Sequence, residues 1–144
     1  MSESKILTEE SHSVQTHISI MQNIIERMAN NSNSAKTWCI TIVSAILVVV
    51  AEKENTQYIY LALFPTFLFM FIDAYYLALE KGFRKSYNNF IIKLHNEVLT
   101  TDDLFSVLPD MDDEKFNIKS MLSFSVYGFY IGISLIIILF KEIM

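Results

Sequence analysis

Asp73 breaks an otherwise uncharged run. Within "FLFMFIDAYYLALEKGFRK", residues 67–85, it is the only charged residue before Glu80, and no other charged residue occurs from Gln57 to Leu79. A charge at membrane depth costs about 2.5 kcal/mol or more on insertion scales, so Asp73 has to face protein or water. Three chemistries are open to it. It can pair with Lys36, which together with Arg27 approaches a similar depth from the preceding helix, or accept hydrogen bonds from Ser and Tyr hydroxyls. It can form a ring of carboxylates in an oligomer, lining a cation path. It can also be protonated, the form that a low-dielectric setting favours. Lys36 stands in "ANNSNSAKTW", where Asn30 and Asn33 would surround the mouth of the same span. Asp73, Lys36, Asn30 and Asn33 are therefore the candidate pore or intramembrane polar residues.

Two other groupings carry chemistry. Arg27, Lys81, Arg84 and Lys85 form a basic collar, suited to anionic lipid headgroups or to an anionic ligand such as a nucleotide signal. No Gly-rich phosphate loop accompanies it. Gly128 and Gly132, two of the chain's three glycines, are spaced four apart, and Ser125 extends the same small face. Such a face lets helix backbones approach closely in lipid, between subunits or within one.

Other patterns exclude functions. An EF-hand loop starting at Asp110 would put Lys115 where Gly is needed and Met121 where the bidentate Glu is needed, so Asp102, Asp103, Asp110, Asp112, Asp113 and Glu114 read as helix caps and a solvated face. His12 and His17 are five apart and do not share a helical face, and His95 is isolated. No Ser-His-Asp, Cys-His, Walker or zinc signature is present, so neither an enzyme, a metal nor a cofactor is expected. Cys39 is the single cysteine, so no intrachain disulfide can form. A net charge of −5 argues against direct nucleic-acid binding.

The elements that must position these residues follow from hydropathy. Of 144 residues, 52% are hydrophobic and 19% charged, and the mean hydropathy is +0.34. Thr37–Ala51 and Ser120–Phe140 carry no charge. A bilayer crossing needs roughly 20 predominantly apolar residues. We expect an all-α membrane protein with three transmembrane helices, over residues 33–51, 57–79 and 120–140. Residues 9–32 read as an amphipathic helix capped by Thr8, with Val14, Ile18, Met21, Ile25 and Met28 forming an a/d seam. "ANNSNSAKTW" lacks Gly and Pro and is expected to continue that helix into the first span. Phe83, Tyr87, Phe90, Leu94 and Val98 extend the second span's helix to Leu99, with Gly82 as a bend. "TTDD" and "LPDMDDE" start further helices, the second running from Met111 into the third span. Residues 80–119 and 9–32 would then make a cytoplasmic helical bundle.

Nine of the eleven Lys and Arg residues lie on the side shared by the N-terminus and residues 80–119. Positive residues near span ends stay cytoplasmic, so the N-terminus is expected inside and the C-terminus outside. No cleavable signal peptide is expected, because the first 35 residues are polar and amphipathic.

"ERMANNSNSAKTWCITIVSA", Glu26 to Ala45, resembles a pattern of small bacterial multi-span inner-membrane proteins: Arg-Met-Ala, then Asn/Ser, then Lys-x-Trp and a Thr/Val/Ser-rich span. In size and layout the chain is similar to membrane effectors of antiphage defence systems, which pair a few spans with a small cytosolic sensor and damage the host membrane when signalled. This chain departs from that layout in having no separate nucleotide-binding domain after its spans. The resemblance implies a channel-like or membrane-disrupting homo-oligomer in the bacterial inner membrane, controlled by a cytoplasmic partner protein or a nucleotide signal. The competing expectation is a non-conducting accessory or anchoring subunit that regulates a partner.

Overall fold

The structure, a computed structural model, describes residues 7–53, 56–111 and 123–143. Of these, 85% are helical and none is in a strand. The order is α1 (His12–Lys53), a 3-10 helix (Thr56–Ala62), α2 (Leu63–His95), a short 3-10 turn (Thr101–Asp103) and α3 (Phe124–Ile143). Three stretches, His12–Lys53, Thr56–His95 and Phe124–Ile143, are long and apolar enough to cross a membrane. The chain divides into two compact units, one of residues 1–29 and 79–112, the other of residues 30–78 and 113–144.

α1 is unbroken over 42 residues, about twice what a bilayer crossing requires. With no Gly or Pro inside it, "ANNSNSAKTW" stays helical, as expected. Its buried positions, Val14, His17, Met21, Ile25, Met28, Ser32, Ala35, Cys39 and Val43, recur at steps of three and four. One seam therefore serves both the amphipathic segment and the span.

The start of α1 corrects the sequence reading. Ser11 caps it, its carbonyl accepting from Val14 N–H at 2.9 Å and Gln15 N–H at 3.1 Å. Thr8 instead closes a turn: its carbonyl accepts Ser11 N–H at 3.0 Å and its own N–H donates to Ser11 Oγ at 3.0 Å. Residues 9 and 10 are consumed by that turn.

In the unit of residues 30–78 and 113–144, the core gathers Cys39, Val43, Val50, Ile59, Ala62, Ala74, Val126, Tyr130, Ile133 and Ile137. Its outside is equally apolar. Phe64, Phe67, Phe71, Ile131, Ile136 and Leu139 are each at least half exposed, which suits lipid and not water. The second crossing opens as a 3-10 helix and becomes α-helical around Pro65. Proline cannot donate to the carbonyl four residues back and is tolerated in a first α-helical turn. Thr66 Oγ1 then donates to Ala62 O at 2.8 Å. At the same end of this unit, Lys141 Nζ donates to Tyr60 Oη at 2.9 Å.

In the unit of residues 1–29 and 79–112, Leu7, Val14, Met21, Phe90, Leu94 and Leu99 form the core, with Ile18, Tyr87, Ile91, Leu104 and Val107 packed against it. The pairing of the amphipathic faces of α1 and α2 follows the periodicity of both. α2 stops at His95, not at Leu99. Glu97 takes a left-handed φ of 57°, and Val98 N–H reaches Lys93 O at 3.1 Å. That is a Schellman stop built without glycine.

Gly82 is not a bend. Here the segment before Met111 crosses α2 so closely that a Cβ at Gly82 would stand 3.0 Å from Pro109 Cβ and 3.4 Å from Asp110 O. Gly82 O accepts Asp110 N–H at 3.1 Å. "TTDD" forms a 3-10 turn only, with Asp103 Oδ2 accepting Thr100 N–H at 3.0 Å. The expected helix from Met111 into the third span lies mostly outside the described residues, as do Lys5, Asp112, Asp113, Glu114, Lys115 and Lys119.

Candidate functional site

Ser32 and Lys36 are one turn apart on α1, so their side chains leave the same face. Asp73 on α2 meets them and is completely buried. Lys36 Nζ stands 2.9 Å from Asp73 Oδ1 and 2.7 Å from Oδ2, straddling the carboxylate. Ser32 Oγ donates to Asp73 Oδ1, and Lys36 Nζ lies 3.2 Å from Ser32 Oγ. One turn before Asp73, the Phe69 carbonyl accepts the Tyr130 hydroxyl of α3 at 3.1 Å. A polar layer thus ties all three spans of this unit.

The chemistry of the cluster is that of a closed pair. The two charges cancel locally: the ammonium and the hydroxyl both donate to Oδ1, while Oδ2 stands 2.7 Å from the ammonium without a hydrogen bond among the described residues. Lys36 keeps 16% side-chain exposure while its ammonium stays on the fully buried Asp73. Of the three chemistries open to Asp73, this is the in-chain ion pair. A carboxylate enclosed by its own chain is not offered to a shared axis.

The sequence grouping of Asp73, Lys36, Asn30 and Asn33 is therefore divided. Asp73 and Lys36 come together, with Ser32 as the third member. Asn30 and Asn33 are exposed and point elsewhere. Ser32 carried a signal in its i, i+4 spacing to Lys36, hidden among the neighbouring Asn and Ser residues.

A second feature of α1 emerges from exposure. Asn30, Ser34, Thr37, Thr41 and Ser44 are all exposed and advance by steps of four and three, with Asn33 beside them. At 3.6 residues per turn this stripe lies roughly 180° around α1 from the buried face. Thr37 Oγ1 donates to Asn33 O at 3.1 Å and Thr41 Oγ1 to Thr37 O at 2.9 Å. Their hydroxyl protons are spent on the helix, and their oxygens remain acceptors on its outside.

The small face of α3 is also turned away from the chain's own core. The core side presents Val126, Tyr130, Ile133 and Ile137. Ser125 is exposed. A Cβ at Gly132 would meet no described atom within 4 Å, and the three atoms nearest to one at Gly128 all belong to the ring of Phe124, the first at 3.4 Å, one turn earlier on the same helix.

In the other unit, the basic collar is partly neutralised. Arg84 Nε pairs with Glu80 Oε1 at 2.8 Å, and Lys85 Nζ with Asp110 Oδ1 at 3.1 Å. Arg27 and Lys81 are exposed. Asn89 Nδ2 takes the second oxygen of Asp110 at 2.9 Å, and Ser86 Oγ donates to Leu108 O at 2.6 Å. These contacts fasten the segment before Met111 across α2 at Gly82. Lys93 Nζ pairs with Asp103 Oδ1 at 2.7 Å. That contact and the Thr100 N–H hold the Asp103 carboxyl below its ordinary range. Among the described residues no three His, Cys, Asp or Glu side chains are grouped to hold a metal ion.

No family model, no curated protein and no solved structure matches this chain.

Proposed function

We propose that this chain assembles with copies of itself in a bilayer, around an axis lined by the exposed polar face of α1, and forms a path for ions or small polar solutes. The observation that carries the reading is the stripe of Asn30, Ser34, Thr37, Thr41 and Ser44, exposed along a helix whose other outward positions include Trp38, Ile40, Ile42 and Val49. A row of amides and hydroxyls costs less against water or another polar face than against hydrocarbon. The Asp73–Lys36 pair closes the inside of one chain, so a path belongs between copies. The open Ser125, Gly128 and Gly132 face of α3 supplies a second surface for close helix approach. A lining of neutral hydroxyls and amides gives weak charge selectivity.

In an inner membrane such a path dissipates ion gradients, the kind of damage that antiphage effectors of similar layout inflict, and the same role is proposed here. The unit of residues 1–29 and 79–112 is then the cytoplasmic input, on the side of the excess Lys and Arg.

The test is ion flux through liposomes, combined with cysteine accessibility in a Cys39→Ala background. Cysteines at Ser34, Thr37, Thr41 and Ser44 should react with a small hydrophilic thiol reagent, and cysteines at Ile40 and Ile42 should not. Equal protection of both sets, with no flux, removes the reading. The accessory-subunit reading draws on one observation, the exposed Val98, Phe105 and Leu108, which would suit a docked partner. It predicts no flux with the partner present or absent.

A further inference from the structure

His17 is buried to 1% exposure, yet the sequence marked it only as half of a failed metal pair. Its Nδ1 accepts the Phe105 N–H at 2.9 Å. Its ring lies 4.5 Å from that of Phe90 and 6.3 Å from that of Phe105, edge-on to the latter. Phe105 has a φ of 60°, a left-handed conformation that a bulky side chain rarely adopts and that needs holding. His17 thus latches the segment after α2 onto α1 through one lone pair, and the neutral ring carries its proton on Nε2.

We infer that protonation of His17 releases this latch: the segment of residues 96–111 is held down when the imidazole is neutral and let go when it is charged. The imidazolium has a hydrogen on both nitrogens. An Nδ1–H facing the Phe105 N–H is donor against donor, so the bond is lost and a buried charge is left without an acceptor there. Phe105 then loses the hydrogen bond that holds it at positive φ. Among the described residues, the charged groups around His17 are few. Asp103 of the 3-10 turn, Lys93 of α2 and Asp110 of the following segment line a cavity of about 220 Å³ with it, and Glu9 and Glu10 stand exposed at the start of α1. Asp103 would favour the imidazolium, but Lys93 holds that carboxylate at 2.7 Å and desolvation outweighs it, leaving the imidazolium easier to deprotonate than usual. His95 and Glu9 stand 3.4 Å apart, both exposed. This inference stands whether or not the chain conducts.

The experiment is amide hydrogen exchange on the full chain in nanodiscs from pH 7.5 to 5, corrected for intrinsic exchange. Nitrogen NMR of the His17 ring is recorded in parallel. Protection at Phe105 and its neighbours should fall by up to tenfold per pH unit below about 6.5, the slope of a single proton. The fall should level off once the ring titration is complete. His17→Asn places a neutral acceptor near the Nδ1 position and should flatten the dependence. A wild-type profile flat over this range, protection that stays constant while the ring titrates, or the same slope in His17→Asn would overturn the inference. If the variant does not fold, the two wild-type titrations alone decide it.

Discussion

Lys36 Nζ lies within 2.9 Å of both carboxylate oxygens of Asp73, and Asp73 has no exposed surface. Removing one partner strands the other charge among apolar side chains. Asp73→Asn and Lys36→Met should each destabilise the folded chain by about 3–5 kcal/mol, whereas the double variant should recover much of that loss. Unfolding in detergent, read as a double-mutant cycle, checks this. Additive losses would mean that the two residues do not act as a pair.

Two glycines should respond in opposite ways. Gly82→Ala drives a methyl to 3.0 Å from Pro109 Cβ and should cost about 1–3 kcal/mol of stability. Gly132→Ile enters open space and should leave the folded subunit intact while weakening association between copies. Thermal unfolding distinguishes the first from wild type. Light scattering in detergent reads the second, and an unchanged mass would remove the proposed role of the Gly128/Gly132 face.

Glu97 pays the left-handed penalty at the end of α2, with φ 57°. Glu97→Gly relieves it without touching the Val98-to-Lys93 hydrogen bond, and should raise stability by about 1 kcal/mol. A lowered melting temperature would show that the Glu97 side chain makes a compensating contribution.

The Asp103 carboxyl is held below its ordinary value of 3.8, first by Lys93 and then by Thr100 N–H. A folded-state pKa below the unfolded one gives stability that is fully present above about pH 4 and lost as pH falls through the folded value. Asp103→Asn should therefore lower stability at neutral pH and leave a shallower acid dependence below pH 4, measurable by chemical denaturation at a series of pH values. The His17 latch acts at higher pH, so the two are separable in one titration.

The spans were legible because hydropathy over twenty residues is an additive property. The seam from Val14 to Met28 was legible because helical periodicity survives tertiary packing. The pairing of Asp73 with Lys36 was legible as one of three chemistries, since a carboxylate in an apolar run needs a partner. What escaped depends on non-local contact. Gly82 looked like a hinge because its true neighbour, Pro109, lies 27 residues on. The end of α2 ran past His95 in the sequence reading because a Schellman stop at Glu97 has no glycine to announce it. His17 was overlooked because its acceptor role is met by the Phe105 backbone 88 residues away, and backbone leaves no residue-type signature. The polar stripe on α1 needed the buried face to be known before its opposite could be seen.

The 37 residues separating Lys36 from Asp73 bear on how the chain is made. During synthesis α1 is complete long before its countercharge has left the ribosome. Entering hydrocarbon alone, it would carry an uncancelled ammonium and an unanswered serine. The economical route is for α1 to wait at the interface until α2 arrives, and for the two to enter as a helical hairpin already joined through Ser32, Lys36 and Asp73. The same pair would then bear on insertion as well, and a translation arrest placed before residue 73 should leave α1 extractable from the membrane by alkali.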